Sequence, residues 1–193
     1  MSLISIRIDS YDHFRADALD RAAQGLGYNV DDLYGYQCWD LAAELWMHIS
    51  EFSSGLWPHT GPNLAAEEIW TVSRVANAGS SFDLITSLSQ VKRGDVIVIG
   101  SSAISSVGHV AFADEDYSSL SMNWMQLLGQ NQVNPSPDYG HIPTVTLLNV
   151  SNFLGAFRYH AWEQPSPTHT LKHKFPWFIY TTKWRNKNNY GII

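Results

Sequence analysis

With a single cysteine among 193 residues, this chain can form no internal disulfide, and its stability cannot depend on an oxidising compartment. It contains no run of about 18 apolar residues, the length a helix needs to cross a bilayer. The start, Met1-Ser2-Leu3-Ile4-Ser5-Ile6-Arg7, lacks the basic region and apolar stretch of a secretory signal, so synthesis in a cytosol is expected. No Gly-x-Ser-x-Gly elbow occurs, which argues against a serine hydrolase. Neither a phosphate loop nor a dinucleotide fingerprint is present, and none of the eight histidines sits in a His-Glu-x-x-His spacing. Charged residues are few, at 16%, and there is no internal repeat.

What remains is an apolar, aromatic chain: 45% hydrophobic, with eight Trp and nine Tyr, enough to build one full core. Its charge is unevenly spread. Residues 1–163 hold seven Lys/Arg against all eighteen Asp/Glu, whereas residues 164–193 hold five Lys/Arg and no acid. We therefore divide the chain into a main domain, 1–163, and a short linker with a basic, aromatic tail, 164–193. The tail is a candidate contact for polyanions, or a last strand with a solvated basic edge; no nucleic-acid partner is expected of the acidic body.

The spacing of Phe14, Ala18, Leu19 and Ala22 predicts a helix over 11–24, closed by Gly25-Leu26-Gly27. A second helix is predicted from Cys38 to about Ser50, with Leu41, Leu45 and Ile49 on one face, and a third over 65–76. After residue 90 the period changes. Segments 95–99, 108–113, 125–130, 144–150 and 155–159 read as short strands separated by Gly, Ser, Pro and Asp. Helices first and strands second predict an α+β domain, with the helices packed on a mainly antiparallel sheet.

Cys38 lies where a turn-like stretch becomes a helix. Backbone N–H groups at a helix start favour a thiolate, so its pKa is expected to be lowered. His109, 71 positions on, opens an apolar strand-like run. A lone cysteine is more often a small buried hydrophobe, but one with a histidine elsewhere in the chain is also the pattern of a thiol hydrolase. Such a site needs a poised sulfur, an imidazole to take its proton, a group that orients the ring and N–H donors for the oxyanion. Asn131 is placed to orient the ring, and the backbone of Gln37 is a candidate oxyanion donor. Trp124 and Trp57, in loop-like surroundings, are candidates for substrate contact; core packing accounts for Trp39 and Trp46.

Gly35-Tyr36-Gln37-Cys38-Trp39-Asp40-Leu41-Ala42, Arg93-Gly94-Asp95-Val96, Gly108-His109-Val110-Ala111 and Gly129-Gln130-Asn131 occur in this order. Together they resemble the cysteine, histidine-dependent amidohydrolase/peptidase (CHAP) domain, over roughly residues 10–160. That family is best known from bacteriophage lysins and bacterial cell-wall hydrolases. The resemblance implies a papain-like α+β fold and cleavage of amide bonds in peptidoglycan, with Cys38 as nucleophile and His109 as base and then acid. Asn131 matches the family's asparagine. Many members carry Glu two positions earlier, where this chain has Gly129, so the third role falls to Asn131 alone or to a residue the sequence does not identify. Some phage members bind calcium ahead of the cysteine, and Asn29, Asp31 and Asp40 match those positions; a solvated turn is the alternative. With no secretory signal at its start, release to the bacterial cell wall through a pore or by lysis is the expected route. The rival expectations are a papain-like thiol amidase acting on another substrate, and a wall-binding module without catalysis.

Overall fold

A computed structural model of the chain describes residues 6–50, 65–73, 81–101, 105–136 and 138–163. The basic tail and Trp57 lie outside the described residues.

Helix α1 spans Tyr11–Ala23. Ser10 caps it by accepting from the His13 N–H at 3.2 Å. Its end is a Schellman turn: Gly25 N–H donates to Ala22 O and Leu26 N–H to Arg21 O, with Gly25 at φ +74°. Helix α2 spans Cys38–Ser50, and its buried face carries Leu41, Ala42, Leu45 and Trp46. Within the third helix expected from sequence, Ile69–Ser73 forms a π-helical turn. Gly155 makes room for it, because a Cβ there would meet the Trp70 ring at 2.3 Å.

Six strands follow: β1 (Phe82–Ile85), β2 (Val96–Ile99), β3 (His109–Ala113), β4 (Trp124–Gly129), β5 (Thr144–Asn149) and β6 (Phe153–Tyr159), then a short α3 (His160–Glu163). They form one sheet in the order β1-β6-β2-β3-β4-β5, every pair antiparallel. The α+β expectation holds, with the N-terminal helices on an antiparallel sheet. Strand β1 escaped the sequence reading because Phe82-Asp83-Leu84-Ile85 is too short for alternation to register.

Both faces of the sheet are covered. One packs Val96, Val98, Val110, Phe112, Leu128 and Phe157 against Phe14, Leu41, Leu45 and Trp46 of the helices. The other gathers Ile97, Ile99, Ala111, Ala113, Met125 and Leu127 with Ile85, Val91 and Val150. Double coverage explains why β2 reads as an unbroken Val-Ile-Val-Ile. Trp46 stacks on Phe82 at 4.4 Å, fixing α2 against the sheet. Among the described residues, no helix is long and apolar enough to cross a membrane.

Candidate functional site

The start of α2 packs on β3, and this joins the two ends of the sequence argument. The Cys38 sulfur sits close enough to the Val110 backbone N–H to have its thiolate favoured, and Val110 follows His109 directly. The N–H groups of Cys38 and Trp39 act in the same direction. Burial nevertheless dominates and pushes the thiol up to about 11, with Asp40 adding repulsion. The lowered pKa expected from the helix start is therefore overturned: desolvation of the sulfur outweighs the helix-end dipoles.

His109 is buried, at 2% exposure. Burial pulls its pKa down to about 4, against a hydrogen bond to Gln132 that favours the charged ring. The two shifts have one consequence. Both favour the neutral thiol and the neutral imidazole over a standing ion pair.

Three consecutive amide side chains follow β4, and the first two hold the loop before α2. Gln130 Oε1 accepts from the Tyr28 N–H at 2.6 Å, and its amide donates to Tyr28 O at 3.0 Å and Gln37 O at 2.9 Å. Asn131, at φ +51°, donates to Gln37 Oε1 at 2.6 Å and Ser136 O at 2.8 Å. Its oxygen accepts the Ser136 N–H at 2.8 Å and lies 3.0 Å from His141 Nδ1. Gln132 is the one that reaches the catalytic candidate, with Oε1 at 3.3 Å from His109 Nε2. Thus Asn131 is brought to the Gln37 loop, while the ring contact belongs to its neighbour. Sequence reasoning passed over Gln132; the signal available was the Gln-Asn-Gln run itself, three amides in succession at a strand end.

Gln37 is fully engaged. Its backbone N–H donates to Asp40 Oδ2 at 2.9 Å and Gly35 O at 3.1 Å, and its side-chain amide donates to Tyr34 O and Ser136 O. A donor so committed is not free for an oxyanion; the N–H groups of Cys38 and Trp39 beside the sulfur are better placed. Trp124 opens β4, five residues from Gly129, about 17 Å along an extended strand at ~3.4 Å per residue. It is exposed, and the β3–β4 register places it away from the Cys38–His109 end.

Asp40 is 1% exposed. Its carboxylate accepts from the Val30 N–H at 2.7 Å and from Gln37 N–H, yet burial pushes it up to about 7, with Asp31 adding repulsion. Asp31 accepts from the Leu33 N–H at 2.9 Å, and Asn29 Nδ2 donates to Asp32 Oδ1 at 3.4 Å. The donor set is all oxygen, and repulsion between Asp31 and Asp40 is what a hard divalent cation relieves. Among the described residues, no cluster of three or more His, Cys, Asp or Glu could hold a metal, so the loop offers two carboxylates and an amide.

The sequence matches no protein-family model and no curated protein sequence. Among solved structures, the fold is similar to that of the wild-type endolysin LysIME-EF1, with 24% identity and a TM-score of 0.54, over 75% of this chain and 63% of that one. Ly7917 gives 20% identity and a TM-score of 0.46, over 75% of this chain and 62% of that one. The chain spans under two thirds of the length of either protein, and what it shares with the endolysin is a fold.

Proposed function

We propose that this chain is a peptidoglycan hydrolase that cleaves amide bonds by a Cys38–His109 thiol mechanism. The observation that carries it is the seating of the α2 start against the β3 backbone beside His109, which brings the sulfur to the imidazole's strand. The endolysin-like fold supports the wall as substrate. His109 takes the Cys38 proton as sulfur attacks the carbonyl carbon of a wall peptide. The C=O π electrons move to oxygen, and the N–H groups of Cys38 and Trp39 hold the oxyanion. As the oxyanion collapses, the C–N bond breaks, the imidazolium protonates the departing amine and an acyl-thioester remains. Water, deprotonated by His109, then attacks the thioester, and the thiolate leaves with the proton returned to sulfur. Calcium on Asn29, Asp31 and Asp40 would act structurally, by neutralising the loop ahead of Cys38; no step needs it. The basic tail is assigned to anionic wall polymers on charge alone.

Purified sacculi incubated with the protein should release new amine termini that mass spectrometry detects, and the terminus identifies amidase or endopeptidase. No product from sacculi, with turnover of a small amide or peptide, would favour a thiol amidase of other substrate. Wall binding that survives Cys38→Ala without any cleavage by the parent protein would favour a binding module.

A further inference from the structure

Gly129 leaves a space that a side chain would fill: a Cβ there would lie 2.5 Å from Gln132 Oε1 and 3.1 Å from Ala111 Cβ. The carboxamide of Gln132, 3% exposed, occupies it. Its amide nitrogen carries two hydrogens, and both have acceptors: Leu127 O at 2.9 Å and Thr144 O at 2.7 Å, with Thr144 Oγ1 at 3.2 Å. Backbone carbonyls only accept. Exchanging the amide's nitrogen and oxygen would set oxygen against oxygen, so the network fixes the orientation. The oxygen therefore faces His109 Nε2, and that nitrogen must bear the hydrogen. In a neutral ring the lone pair then belongs to Nδ1.

We infer that Gln132 is the positioning residue of this site, its carboxamide oxygen holding His109 as the Nε2–H tautomer so that Nδ1 is the base that receives the Cys38 proton. The role in catalysis rests on the thiol mechanism proposed above; the tautomer does not. A carboxylate in this place would add a negative charge and stabilise the imidazolium. An amide accepts the same hydrogen bond without that charge, which leaves the resting ring neutral. Gly129 belongs to the same device, since a larger residue would displace the oxygen from the ring.

Long-range ¹H–¹⁵N spectra of the His109 ring, with its pH titration, test this in the parent protein, Gln132→Ala, Gln132→Glu and Gly129→Ala. Sacculus-clearing pH profiles on the same preparations add the catalytic readout. The parent ring should be in the Nε2–H form. Gln132→Ala should give mixed tautomers and roughly a tenfold or greater loss of rate. Gln132→Glu sets an oxygen against the Leu127 and Thr144 carbonyls, so it should not recover the rate, although a carboxylate oxygen that stays at the ring should move the ring titration upward. Gly129→Ala should weaken the tautomer preference. An Nδ1–H ring in the parent, or an unchanged tautomer in Gln132→Ala, overturns the inference. Should Gln132→Ala fail to fold, the parent spectrum decides alone, and an Nδ1–H ring there overturns the inference. An Nε2–H ring on a protein that clears no wall supports the positioning and sinks the wall reading, so the two fail separately.

Discussion

The two ends of the β2–β3 pair are built from different chemistry. At the end where β2 begins and β3 finishes, charges are paired. Arg158 donates to both oxygens of Asp95 at 2.8 Å, and Arg15 donates to both oxygens of Asp114 at 2.6 and 3.0 Å. Arg93 joins Asp12 at 2.7 Å and lies over the Tyr11 ring. At the other end, where Ile99 pairs with His109, the polar residues around sulfur and imidazole are amides: Gln37, Gln130, Asn131 and Gln132. Two carboxylates share this end, each turned toward donors of its own: Asp40 toward the Val30 and Gln37 N–H groups, and Glu67 toward the Ser101 N–H and hydroxyl. Fixed ion pairs hold one end together. Amide dipoles at the other fix the geometry of the Gln37 loop and of the His109 ring.

The sharpest way to break that contrast is at the amide end. Cys38→Ala should abolish wall cleavage, by a thousandfold or more as for loss of a covalent nucleophile, while the thermal midpoint stays near the parent's. Residual cleavage at a tenth of the parent rate would remove sulfur from the chemistry. At the charged end, Arg158→Met should do the reverse. It leaves the buried Asp95 carboxylate without its guanidinium, at a cost of about 3–5 kcal/mol in denaturant unfolding, while cleavage measured well below the midpoint persists.

Acid should act through His109. Its folded value, about 4, lies below the ordinary 6.5, so between those values the unfolded chain binds the extra proton. The contribution is present above pH 6.5 and is lost as pH falls through 4, on the order of 3 kcal/mol. Asp40, raised to about 7, acts with the opposite sign over the same range, so the His109 loss is read as the difference between the pH 7 to 4 unfolding curves of the parent and of His109→Gln. A smaller effect is expected from Asn131→Ala, about 1–3 kcal/mol, because it strips partners from Gln37 and Ser136. The His109 titration should not move in that variant, which separates Asn131 from Gln132. The smallest effect belongs to calcium. Millimolar Ca²⁺ should raise the thermal midpoint slightly, and Asp31→Asn should erase that response. A midpoint indifferent to both Ca²⁺ and chelator would remove the loop as a ligand set.

Much of this architecture is legible in the chain. Helix α1 announces itself by Ser10, its apolar spacing and Gly25, and α2 by the Leu41–Leu45 stripe. Strand β3 is legible because an apolar run follows Gly108. The π-helical turn was not, since apolar spacing over 65–76 does not distinguish it from an ordinary helix. The candidate site divides the same way. Cys38 and His109 stand out as a helix-start thiol and a strand-start imidazole, but Gln132 is a plain amide in a loop, and only its side-chain path gives it meaning.

The order of residues alone determined an α+β domain, a lone thiol opening a helix and a histidine opening a strand, because periodicity and capping are local properties of a chain. Tertiary structure decided the protonation of that pair and the partner of the ring. Desolvation depends on everything packed around a group, and Gln132 meets His109 only because β4 lies beside β3 and Gly129 leaves it room.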